Sequence, residues 1–139
     1  MQDFLSRDFI KRVQGQKILL AVSGGADSMV LLDIVRKANE FVEFDFAVIH
    51  VNHNLRGKES DLDAMLVENY CKKHNVLCTI KNVNVMKYKN QEKLTLEESA
   101  RNLRHKVIFD HVSANKFDYV VFAHNAGDQA ETVLMHIAR

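Results

Sequence analysis

Four short stretches of this 139-residue chain combine residue types that can do chemistry. The first is Ser23-Gly24-Gly25-Ala26-Asp27-Ser28, which follows the apolar run Leu19–Val22 and leads into Met29-Val30-Leu31-Leu32. Adjacent glycines allow positive φ and let backbone approach a ligand closely. If a helix starts here, its first N–H groups lack intrahelical partners and, with the helix dipole, favour a polyanion. Ser23 and Ser28 are expected to add hydroxyl donors. No Gly-Lys-Ser/Thr follows, so no lysine reaches terminal phosphates as it does in a Walker loop. Asp27 would repel phosphate; it makes sense facing Mg²⁺ or an ammonium group. The bland alternative is a Gly-Gly turn with Ser28 as helix cap.

The second stretch, His50-Val51-Asn52-His53-Asn54-Leu55-Arg56-Gly57, follows another apolar run. His-x-x-His without a third ligand is a weak metal signal. Nucleotide contact and a structural loop of hydrogen-bonded histidines suit it equally. The third, Glu97-Glu98-Ser99-Ala100-Arg101-Asn102-Leu103-Arg104, puts Arg101 and Arg104 on one helical face. They suit phosphates, or simply a solvated face. The fourth, Ala123-His124 through Thr132, sets Asp128 and Glu131 three apart, on one face of an opening helical turn. On spacing alone a capping arrangement is the favoured reading over catalysis.

Elements must bring these stretches together. Strands are expected at 17–22, 44–51, 76–83 and 118–123, rich in β-branched and aromatic residues. Helices are expected at 28–39, 60–74 and 95–115, with a weaker one at 4–13 and a last one from near Asp128 to the end. Ser60-x-x-Asp63 and Thr95-x-x-Glu98 resemble capping boxes. In the second long helix Leu62, Met65, Leu66 and Tyr70 are expected to be buried. The lysine- and asparagine-rich segment 84–93 suggests a loop. Strands alternating with helices predict a doubly wound parallel α/β sheet of about four to five strands in order 3-2-1-4. Ligands would bind beyond the strands' C-terminal ends, in a crevice between strands 1 and 4.

Composition sets limits. The chain is 47% apolar and 27% charged with net charge +1, ordinary for one globular domain. A domain that holds nucleic acid unaided is usually more basic. No apolar run approaches the roughly 20 residues of a membrane span, and no signal peptide opens the chain; a cytoplasmic location without membrane partners is expected. The two cysteines, Cys71 and Cys78, match neither a redox Cys-x-x-Cys nor a zinc site.

The loop Ser23–Ser28 resembles the SGGxDS loop of the N-type ATP pyrophosphatases, the PP-loop enzymes with a Rossmann-like fold. The other stretches are similar to the HxNHxLRG, E-x-A-R-x-x-R and AHHxDDQxET segments of one branch, the tRNA(Ile)-lysidine synthase family. The matches run in order over nearly the whole chain. Asn125 stands where that family has a second His and Gly127 where it has the first Asp; Asp27, Asp128 and Glu131 are the acids that remain.

The resemblance implies a single N-terminal PP-loop domain over residues 1–139, a fragment of a longer chain. It implies ATP and Mg²⁺ as cofactors, tRNA(Ile) and free L-lysine as substrates, and leaves room for a homodimer. Cytidine would be adenylated in the anticodon, and lysine would then displace AMP. Ser23, Gly24, Gly25, Ala26, Asp27, Ser28, His50 and His53 would bind ATP, with Asp27 also on the metal. Arg104 would hold the α-phosphate, with Arg101 and Arg56 as RNA or phosphate contacts. Asp27, Asp128, Glu131 and Arg104 would form the catalytic set. A tRNA thiolase is disfavoured, because both cysteines fall away from the crevice. A non-catalytic nucleotide-binding module is the alternative of another class.

Overall fold

The computed structural model describes residues 7–54, 57–92, 94–126 and 129–137; side chains 90–92 and 124–134 are not described. Five strands form one sheet: β1 (Lys17–Ala21), β2 (Asp45–Asn52), β3 (Leu77–Asn82), β4 (Tyr119–Ala126) and β5 (Gln129–His136). Their order is β3-β2-β1-β4-β5. The first four are parallel neighbours and β5 is antiparallel to β4. The predicted 3-2-1-4 order is therefore present, with one strand added at the edge.

The helices are α1 (Arg7–Val13), α2 (Ala26–Ala38), α3 (Lys58–Lys73), α4 (Val85–Glu92) and α5 (Leu96–Asn115). Strand β1 explains the layering, because its side chains alternate between two cores. Ile18 and Leu20 join Leu31, Leu32 and Val35 of α2 and Val67 and Cys71 of α3. Leu19 and Ala21 join Ile108 and Val112 of α5. A strand covered on both faces needs apolar residues at every position, hence the unbroken Ile-Leu-Leu-Ala run.

Helix α5 starts as its sequence predicts. Thr95 is the N-cap, and its hydroxyl oxygen accepts from the Glu98 N–H at 3.2 Å. The hydroxyl proton goes to Glu98 Oε1 at 3.0 Å.

Four expectations are corrected. The predicted loop at 84–93 contains α4, which starts where Asn84 Oδ1 accepts from the Lys87 N–H at 3.0 Å. Most of its residues, Met, Lys, Gln and Glu, are good helix formers without a continuous apolar stripe, and among its described side chains Val85 alone is buried. The predicted helix after Asp128 is replaced by β5, paired with β4 from Tyr119↔His136 to Ala126↔Gln129. Gly-Asp between two β-prone runs is a hairpin signal that competes with the capping pattern.

In α3, Leu62, Met65 and Leu66 are 61, 57 and 49% exposed instead of buried. The helix lays Ser60, Val67 and Cys71 on the sheet, a line whose first member is small and polar. Finally, Ser60-x-x-Asp63 is not a capping box. Gly57 is the N-cap of α3, without a side-chain cap bond.

Leu20 is fully buried in the central strand. Leu20→Ala should lower unfolding stability by about 3 kcal/mol, checked by urea denaturation.

Candidate active site

The glycine loop closes on itself. Val22 extends β1 by donating its N–H to Ile49 O at 3.0 Å. Gly24 follows at φ +89°, and Gly25 is the extended N-cap of α2. Ser28 is 3% exposed. Its Oγ accepts from the Gly24 N–H and the Ser23 hydroxyl, both at 3.1 Å, and donates to Gly25 O at 2.9 Å. Ser28 is thus the buckle of the loop, neither a free donor to a ligand nor a helix cap. Gly25 N–H donates to Ser23 Oγ at 3.3 Å.

At the start of α2 three N–H groups remain. Among the described residues no acceptor meets those of Ala26, Asp27 and Ser28, the first residues of α2. Unpaired helix N–H groups and the dipole favour an anion at this place.

A cavity of about 400 Å³ opens beside the loop. Ser23 and Gly25 line it from the loop, and His50, Asn52 and His53 from the end of β2. Glu59, Ser60, Leu62 and Asp63 wall it from the first turns of α3, and Arg104 and Ile108 from α5. It lies over β1 and β2, not between β1 and β4 as expected. The turns of α3 build the wall on the β2 side. Near β4 the side chains of the fourth stretch lie outside the described residues.

The remaining candidates divide clearly. Gly24 and Ser28 are buried in the loop, while Ala26 and Asp27 are exposed at the start of α2. Arg101 is exposed on α5, outside the cavity lining. Arg56 and Asp128 lie outside the described residues. Glu131 belongs to β5 opposite His124, so a shared helical face with Asp128 does not apply to it.

Arg104 and His50 set the electrostatics. Burial pushes the Arg104 guanidinium's pKa down, and among the described residues no carboxylate pairs with it. A desolvated cation without a partner is a ready seat for an anion. His50 is 4% exposed. Its Nδ1 lies 2.7 Å from Val22 O, so that nitrogen carries the proton and Nε2 is the acceptor of the neutral ring. Burial lowers its pKa from 6.5; the bond to Val22 and the Asp63 charge oppose this, and Arg104 adds to it.

Asn52 donates from Nδ2 to Asp61 Oδ1 at 3.2 Å, and its Oδ1 accepts from the Asn54 N–H at 3.0 Å. The bond to Asp61 ties the end of β2 to α3. Sequence reasoning missed Glu59 and took Asp63 for a capping residue. A carboxylate in the first two turns after a strand's C-terminal end was the available signal.

Cys71 and Cys78 are both free thiols. They sit in the core under α3 and do not line the cavity. Their mutual hydrogen bond raises the Cys71 pKa, with burial adding to the rise, and lowers that of Cys78 against the opposing effect of burial.

The model of the PP-loop domain family matches residues 3–139. The chain belongs to the PP-loop family. That membership implies use of ATP. This PP-loop chain is 39% identical over 129 residues to the tRNA(Ile)-lysidine synthase of Clostridioides difficile, covering 91% of this chain and 27% of that protein. It is 41% identical to that of Thermosipho africanus (91% and 29%) and 34% identical to that of Bacillus subtilis (100% and 29%). The chain thus spans under a third of the length of these curated relatives.

Among solved structures, the U34-tRNA thiolase NcsA of Methanococcus maripaludis superposes with TM-score 0.71 at 20% identity, covering 89% of this chain and 43% of that one. The NH3-dependent NAD synthetase of Campylobacter jejuni gives 0.62 at 23%, covering 81% and 51%. At such identities the likeness is one of fold. No helix among the described residues is long and apolar enough to cross a membrane.

Two outcomes follow from this geometry. A Cβ on Gly24 would lie 2.8 Å from Asp63 Cβ and 3.1 Å from Asp63 O, at a φ that side chains rarely adopt. Gly24→Ala should cost about 3 kcal/mol in urea denaturation. In an NMR titration His50 should show the Nδ1–H tautomer and a midpoint below 6.5. Folding lowers its proton affinity, so its contribution to stability is intact above pH 6.5 and is lost as pH falls from there through the folded pKa.

Proposed function

We propose that this chain is the ATP-handling, N-terminal part of a tRNA(Ile)-lysidine synthase. On this reading the enzyme ligates lysine to C2 of an anticodon cytidine in tRNA(Ile), with release of AMP and pyrophosphate. The observation that carries it is Arg104, a partly buried, desolvated guanidinium with no carboxylate partner among the described residues, in the cavity beside a loop whose helix start leaves three N–H groups without an acceptor among the described residues. Identity of 34 to 41% to lysidine synthases supports the choice of reaction.

In the first step the cytidine O2 attacks the α-phosphorus. The bond to the bridging oxygen breaks, and pyrophosphate leaves with the electron pair. The N–H groups of Ala26, Asp27 and Ser28 stabilise the charge that develops on it. Arg104 holds the α-phosphate, where charge accumulates in the transition state. In the second step the lysine amine attacks C2, the C2–O bond breaks, and AMP leaves. The amine must first lose a proton; Asp128 and Glu131, whose side chains lie outside the described residues, are the acids assigned to the ammonium and its proton.

Mg²⁺ would neutralise phosphate charge when bound. It commonly takes one or two carboxylates together with substrate phosphates, and exposed Asp27 at the start of α2 fits that pattern. The core position of Cys71 and Cys78 disfavours a thiolase, which needs a thiol at the site.

The test is incubation of the protein with ATP, tRNA(Ile) and labelled lysine. Release of AMP and pyrophosphate should depend on lysine, and label should appear in the tRNA. ATP binding without any release would instead favour a non-catalytic module. Arg104→Ala and Asp27→Asn should each lower the rate at least ~10²-fold. A rate near that of the unaltered protein would remove the residue from the catalytic set.

A further inference from the structure

The two nitrogens of the His50 ring have different fates. Nδ1 donates to Val22 O at 2.7 Å, and Val22 in turn donates its N–H to Ile49 O at 3.0 Å. The ring is thereby anchored to the residue just before the glycine loop. Turning Nδ1–H toward the cavity would strip the carbonyl of a buried residue of this partner.

Nε2 is free. Among the described residues nothing bonds to it. No fully buried side-chain nitrogen or oxygen among those residues lacks a partner, so Nε2 is reached by solvent although His50 is nearly wholly buried. The cavity that His50 lines is the opening.

Burial keeps the ring neutral, Arg104 adds to this, and the Val22 bond and the Asp63 charge oppose it. A neutral ring with its proton on Nδ1 offers only a lone pair at Nε2. Ionised phosphate oxygens also offer only lone pairs, so the phosphate chain belongs at Arg104 and the loop, not at this nitrogen. A cavity of about 400 Å³ is of the size that takes a small molecule. A ligand that covers Nε2 must give it a donor; otherwise it displaces water and leaves the acceptor bare, which costs affinity. A nucleotide has such donors in its adenine amino group and its ribose hydroxyls.

We propose that His50 is a specificity-determining residue, its Nε2 accepting a hydrogen bond from an uncharged donor of the bound nucleotide, the adenine amino group or a ribose hydroxyl. This role rests on the use of ATP described above.

The first test is nitrogen NMR of protein carrying isotope-labelled histidine, titrated with ATP at a pH well above 6.5. His50→Asn assigns the resonance. On binding, the Nε2 signal should move as that of an unprotonated acceptor, with the proton still on Nδ1. The second test is calorimetry with ATP, purine riboside triphosphate (which lacks the amino group), 2′-deoxy-ATP and 3′-deoxy-ATP, in the protein and in His50→Asn. The Asn amide nitrogen can take the place of Nδ1 at Val22 O and leaves nothing at the position of Nε2; circular dichroism checks the fold.

The unaltered protein should bind ATP about fivefold more tightly than one of the three analogues, as expected for a neutral hydrogen bond. That analogue identifies the donor. His50→Asn should lose about the same factor for ATP and no longer distinguish that analogue. An Nε2 signal unmoved by saturating ATP overturns the role, and so does one that gains a proton, which would set the ring against phosphate. A preference that survives in His50→Asn, or no preference in the unaltered protein, overturns it too. In each of these cases ATP binds, and the use of ATP stands. No ATP binding at all rejects the use of ATP together with the role of His50.

Discussion

Gly24 and Asp63 approach so closely that no side chain fits between them. That contact ties the loop after β1 to α3, an element that begins more than 30 residues later. Much of the site depends on it. It fixes how far α3 reaches over the sheet, and therefore where Glu59 and Asp63 stand. The loop is held from inside as well, because the buried Ser28 hydroxyl satisfies three partners at once. A loop closed in this way has its shape before any ligand arrives, which reduces the ordering cost of binding.

The charge arrangement follows from the layers. Helix α5 brings Arg104 from one face of the sheet and α3 brings carboxylates from the other; both reach the cavity over β1 and β2. A cation on one wall and acids on the other make the cavity electrostatically two-sided, with the anion-favouring side at Arg104. The neutral His50 ring between them adds an acceptor without adding charge. Burial, more than any single neighbour, keeps it neutral.

Some of this was legible in the residues and some was not. The parallel order of four strands could be read from apolar runs separated by helical patterns. The both-face burial of β1 was visible in its lack of alternation. By contrast, Leu62, Met65 and Leu66 looked like a core stripe because their spacing is helical. Periodicity shows that a helix has an apolar side; it does not show which side meets the sheet. Asp128-x-x-Glu131 looked like an opening helical turn, whereas Glu131 lies in β5, paired with a strand the local pattern could not weigh. The segment 84–93 lacked the apolar stripe by which helices are usually read, so α4 went unseen.

The sequence by itself determined that Gly24-Gly25 ends a buried strand and opens a helix, and that Arg104 sits on a helical face. Those properties are local: backbone freedom and spacing along one element fix them. Only the tertiary structure decided that Ser28 closes the loop, that Arg104 is desolvated with no carboxylate partner among the described residues, and that Asp63 stands against Gly24. Each of these depends on which distant segments meet, and that is settled by packing both faces of one sheet at once.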